Sequence, residues 1–193
     1  MNSKSKPFLA LVLAIAIAGA GCTAQWITVA LQDLPVLTQM ALNIATLVSA
    51  LATGQQASPA DVAVIQNISA QASRDLNQLQ TLYNDYKASP NATTLQKIQT
   101  VIADLNQSLP NLLQSARISN PTVSARINAA VNLIITTVNS FTSLMPQTSM
   151  PTSSKAPARL LQAKDLKKQW NQQVCAPTGN PALDAAFAAS ALR

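Results

Sequence analysis

Three prolines, Pro59, Pro90 and Pro121, stand at equal intervals along the chain, each directly behind Ser or Asn. Proline suits the first position of a helix because its missing N–H would be unpaired there anyway, and the preceding Ser or Asn side chain can accept from a free backbone N–H. The three pairs therefore read as three helix starts. Beyond residue 21 only Gly54 and Gly179 are glycine. A chain so poor in glycine has few tight turns, and its Ala, Leu, Gln, Asn, Ser and Thr favour helix over strand.

Apolar periodicity fills the intervals. Leu34, Leu37, Ala41, Ile44, Val48 and Leu51 recur at spacings of three and four, which predicts a helix from Asp33 to Thr53 with Asp33 as its N-cap. Its expected polar face is Gln32, Gln39, Asn43, Thr46 and Thr53. Residues 34–52 carry no charge. Gln39 and Asn43 would sit near mid-bilayer in a membrane span, so a bundle helix with an amide-rich face is the preferred reading. Ser58-Pro59-Ala60-Asp61 opens a second helix with the stripe Val62, Ile65, Ala72, Leu76, Leu79, Tyr83 and Tyr86, interrupted at Ser69. Ser89-Pro90 opens a third, with Leu95, Ile98, Ile102, Leu105, Leu109, Leu112 and Ala116 in a heptad-like repeat and a kink expected near Asn106 to Pro110. Asn120-Pro121 opens a fourth, with Val123, Ile127, Ala130, Ile134, Thr137, Phe141 and Leu144. Equal units imply helices of about 25 residues, roughly 37 Å each. Short connections make neighbours antiparallel, so the expected fold is all-α: an up-down-up-down four-helix bundle. Pro146 to Ala158 reads as a Pro/Ser/Thr-rich linker, and residues 159–193 as a basic helical extension that the bundle does not need for folding.

Composition removes whole classes of chemistry. There is no His and no Glu, and every acidic residue is Asp. A Ser-His-Asp or Cys-His relay has no base, a His/Cys zinc site has too few ligands, and no glycine-rich phosphate loop exists. Neither cofactor nor metal is expected, and the expected role is not catalytic. The net charge of +6 lies at the two ends: residues 22–145 sum to zero, while residues 146–193 hold six basic and two acidic residues. A cationic helix there, with Arg159, Lys164, Lys167 and Lys168 beside Trp170, is the candidate interaction surface. It has two candidate partners, an anionic lipid surface and another protein. The competing reading has Leu166 and Trp170 packing onto the bundle and the lysines merely solvated. Nucleic acid is not an expected partner.

The N-terminus supplies the one address signal. MNSKSKP is basic, Phe8–Ala20 is apolar, and Gly19-Ala20-Gly21-Cys22 closes the run. This is the pattern of an export signal, and the run is shorter than the ~20 residues a spanning helix needs. Gly19-Ala20-Gly21-Cys22 resembles the lipobox of bacterial lipoproteins, with Gly19 where an aliphatic residue is usual. The resemblance ends at Cys22 and covers nothing beyond it. It implies that residues 1–21 are a signal peptide and that Cys22 becomes the lipid-bearing first residue. It also implies attachment to a membrane of the cell envelope, with Thr23 in place of the Asp that marks inner-membrane retention. Residues 22–145 are then the bundle. The alternative is a soluble secreted or periplasmic bundle with a Cys22–Cys175 disulfide, membrane-active through the uncharged helix.

Overall fold

The computed structural model describes residues 6–53, 57–116, 118–145 and 161–193, with side chains described from Trp26 onward except at residues 49, 50 and 53. The Pro/Ser/Thr-rich stretch and Arg159 lie outside the described residues. The described chain is all-α, with helices α1 (Lys6–Thr53), α2 (Pro59–Ala88), α3 (Ala92–Ser115), α4 (Pro121–Thr142), α5 (Ala163–Gln173) and α6 (Pro181–Ala189).

The first four form the expected bundle. Each packs on its chain neighbour, and α4 closes the ring on α1. Antiparallel order shows in the contacts. Ser69 of α2 donates to the Ala41 carbonyl of α1 at 2.6 Å, and Trp26, far down α1, meets Tyr83 and Tyr86 near the end of α2. The stripes read from sequence meet in the middle. Leu34, Leu37, Ala41, Ile44, Val48 and Leu51 are buried against Ile65, Leu76, Leu79, Ile98, Leu105, Ile127 and Ile134 in one core. Each such side chain contributes about 1.5–3 kcal/mol on burial.

The helix starts differ in detail. Ser58 and Asn120 cap α2 and α4, with proline at the first helical position. Ser89 does not start α3. It ends α2, its N–H bonded to the Asp85 carbonyl, and Asn91 caps α3 through the Thr94 N–H. The shift lengthens α2 to 30 residues and leaves α3 with 24 and α4 with 22, so the helices are not equal. The α3 helix runs through Pro110 to Ser115.

Ser58 does more than cap. Its Oγ donates to Asp61 Oδ2 at 2.7 Å while the Asp61 N–H donates back to Ser58 Oγ, and Ser119 Oγ reaches the same carboxylate at 2.9 Å. Ser119 precedes α4, so this carboxylate ties the starts of α2 and α4 to one end of the bundle. The Ser58 hydroxyl, more than any other group, holds the Asp61 carboxyl below its ordinary range. Ser58→Ala should cost about 1–2 kcal/mol, the usual cost of a lost cap, read as a lower thermal midpoint at pH 7. An unchanged midpoint would show that the cap carries no stability.

Helix α1 begins at Lys6, well before the expected Asp33. Asp33 is therefore mid-helix and caps nothing on its own helix. Among the described residues no helix is long and apolar enough to cross a membrane. The uncharged 34–52 stretch instead supplies one wall of the core.

The tail belongs to the same core. Helix α5 packs on α1 and α4, and α6 on α1. Leu166, Trp170, Val174, Leu183 and Phe187 join the one apolar cluster, so the extension covers bundle surface instead of standing off it.

Candidate functional site

Helix α5 divides its predicted surface between water and core. Lys164 and Lys168 are exposed. Lys167 is partly buried, its Nζ donating to the Arg193 carbonyl at 2.7 Å. Trp170 is not on the surface. It is 1% exposed, and its indole N–H donates to the Ser190 carbonyl at 2.9 Å. The apolar side of α5 that gave it an amphipathic pattern is the side that faces α1 and α4.

Residues the sequence did not single out hold the tail in place. Asn43, expected on a solvated face, is buried and donates to the same Ser190 carbonyl at 2.8 Å. Arg126 of α4 donates to the carbonyls of Gln173 and Ala176, where α5 leaves acceptors unpaired, and its guanidinium lies 5.8 Å from the Phe187 ring centroid. Asn171 accepts from the Leu192 N–H and donates to the Leu192 carbonyl, both at 2.9 Å. Asp33 accepts from the Ala163 backbone N–H at the start of α5, a helix whose Gln162 makes no side-chain cap. Between α5 and α6, Asp184 gathers the N–H groups of Thr178 and Gly179, and Gly179 takes a positive φ of 83° that only glycine adopts freely. The Thr178 N–H, first among these donors, holds the Asp184 carboxyl below its ordinary range.

Among the described residues, two of the open grooves along helix seams are lined by charged side chains. One, of about 440 Å³, lies between α1 and the tail beside Val36, Gln39, Lys167 and Arg193. The other, of about 360 Å³, lies between α2 and α3 and brings Asp75, Lys97 and Asp104 together. Burial, chiefly, raises the Asp75 carboxyl above its ordinary range, while two bonds from Gln71 and the Arg74 charge pull the other way and Asp104 adds to the rise.

At the opposite end from the Asp61 network the core closes with aromatics. Trp26 meets Tyr83 edge-on at 5.4 Å and Tyr86 at 6.1 Å, and Tyr83 meets Phe141 of α4 edge-on at 6.2 Å. The Trp26 N–H and the Tyr83 hydroxyl are buried without a hydrogen-bond partner, and burial pushes the Tyr83 phenol above its ordinary range. The tyrosines, legible in the sequence as stripe positions, are core residues.

Cys22 lies on α1 one turn before Trp26, and its side chain lies outside the described residues. Cys175 Sγ sits 3.7 Å from Ser190 Oγ, and burial, first among the influences on it, raises its thiol above the ordinary range. Ser190 is also the partner of Asn43. Asn43 and Cys22 share the unbroken helix α1, with about 31 Å of helix between them. A disulfide requires Cα atoms within about 7 Å. The folded chain thus keeps its two cysteines too far apart to pair.

Comparison of the chain with protein-family models, with curated proteins and with solved structures finds no match.

Proposed function

We propose that this chain is a membrane-anchored lipoprotein of a bacterial cell envelope, held by lipid on Cys22 and acting as a structural or interaction module, not as a catalyst. The observation that carries the reading is the ordered run of basic start, apolar core and Gly-Ala-Gly-Cys at residues 4–22, immediately followed by the bundle. The absence of His and Glu from the whole sequence supports a non-catalytic role. Thr23 after the cysteine favours the outer membrane where there is one. More than one acyl chain would give stable attachment, because a single chain binds bilayers only marginally.

The interaction surface in this reading is the exposed edge of α5, with Lys164 and Lys168, and Arg159, outside the described residues, adds a cation to the same stretch of sequence; its partner is an acidic protein surface or an anionic lipid face. The alternative remains a soluble secreted or periplasmic bundle, now without the disulfide.

Cys22→Ser should release the protein from the membrane fraction. The intact mass of the membrane-extracted wild type should show loss of residues 1–21 and the addition of acyl groups. Unchanged membrane association of the variant, or a wild-type mass without acyl groups, would sink the anchor.

A further inference from the structure

Lipid at Cys22 leaves almost no tether between bilayer and bundle. Helix α1 is unbroken from Lys6 to Thr53, so Cys22 and the first described core residue, Trp26, are one helical turn apart, about 6 Å. A flexible linker of about ten residues would reach roughly 16–19 Å and let the domain tumble. A single turn of helix allows nothing of the kind.

Trp26 fixes which part of the bundle comes down with it. Its ring packs on Tyr86, and Ser89 lies less than one turn beyond Tyr86, so the turn between α2 and α3 ends about 5 Å past that contact. Cys22 lies about as far beyond Trp26 in the same direction. The lipid attachment point and the 89–91 turn therefore stand at one height. The end of α4 is on the same side, since Phe141 meets Tyr83.

We propose that this end of the bundle rests on the bilayer surface, with the Ser89–Asn91 turn and the start of α3 seated among the lipid headgroups and the helices upright. The proposal rests on the lipid at Cys22 put forward above. Its chemistry fits an anionic or zwitterionic headgroup layer. Ser89, Pro90, Asn91, Ala92 and Thr93 are exposed and uncharged, and the exposed Lys87 and Lys97 flank them, with Asp85 the one acidic residue between Tyr83 and Leu95. The upright pose also places α5. Its start meets Asp33, three turns up α1 from Cys22 and so about 16 Å away from the lipid. That is about two Debye lengths at physiological salt, so of the two partners proposed above for Lys164 and Lys168 the upright pose fits the acidic protein surface and not the lipid face.

The test uses the mature lipidated chain, extracted and reconstituted into vesicles of phosphatidylethanolamine and phosphatidylglycerol that contain a brominated lipid. In a Cys175→Ser background, a bimane label is placed through Ser89→Cys at the near end or Ala60→Cys at the far end. Quenching at residue 89 should exceed that at residue 60 several-fold. A flexible Gly/Ser segment inserted after Thr23 should bring the two toward equality while vesicle binding persists. Equal quenching at both ends without the insertion, or stronger quenching at residue 60, overturns the upright pose. A mass without acyl groups instead overturns the anchor at Cys22, and the pose falls with it.

Discussion

Trp170→Ala should lower the stability of the whole protein by about 3–5 kcal/mol, the usual cost of deleting a buried Trp side chain. The indole is almost wholly covered and its N–H is bonded to the Ser190 carbonyl, so the substitution opens a cavity and leaves that carbonyl to Asn43 alone. For a chain of this size each kcal/mol moves the thermal midpoint by roughly 2–4 °C, so the variant should melt well below the wild type by circular dichroism. A tryptophan displayed on a solvated helix would shift stability by no more than about 0.5 kcal/mol, and a result that small would return α5 to the surface. Truncation before residue 161 should agree: helix should be lost beyond the 11 and 9 residues of α5 and α6, because the α1 and α4 faces beneath them become exposed. A truncated chain that keeps every residue of α1–α4 helical would show the tail to be dispensable.

Asp33→Asn should stabilise the protein at pH 8 and have little effect at pH 4. Asp33 is buried on α1, one of its oxygens has no hydrogen-bond partner, and burial raises its carboxyl from 3.8 to about 6, opposed only in part by the Ala163 N–H. The folded state therefore holds this proton more tightly than the unfolded chain does. Well below pH 4 both states are protonated and no penalty exists. As pH rises from about 4 through 6, stability falls, by at most about 3 kcal/mol for a displacement of this size. Asp61 and Asp184 act in the opposite sense and in a lower window, since both are held below their ordinary range and lose their contribution only as the solution becomes more acid. Asp75, also raised by burial, acts in the same sense as Asp33, so wild-type stability should pass through a maximum near about pH 4. Urea midpoints of both proteins between pH 4 and 8 would isolate Asp33, whose share is the slope that the Asn variant lacks. Parallel curves would mean that Asp33 ionises in the fold as it does in the unfolded chain.

Asp33 also marks a limit of reading one helix at a time. In the sequence it stands before a clean apolar stripe and looks like a cap. In the fold α1 is already helical there, and Asp33 serves the start of α5, a helix far along the chain. Asn43 shows the same limit, because a polar residue on the polar side of one stripe became buried when α6 arrived over it. Arg126 carries no local signal at all, since its role depends on where α5 exposes its last carbonyls. The proline starts failed only at Ser89, where two helix ends compete for one short connection and Asn91 is the better-placed cap.

Local rules were enough wherever a residue answers to its own helix. The helical period of the apolar stripes, the Ser-Pro and Asn-Pro starts and the near absence of glycine determined four helices, their core faces and their antiparallel order. What needed tertiary structure was every choice made between helices. Whether an amphipathic helix turns its apolar side to a partner or to its own bundle is undetermined by periodicity, because both burials satisfy the same stripe. The structure turned Trp170 inward, covered Asn43 and Asp33, and set Cys175 beside a part of α1 that lies about 31 Å of helix from Cys22.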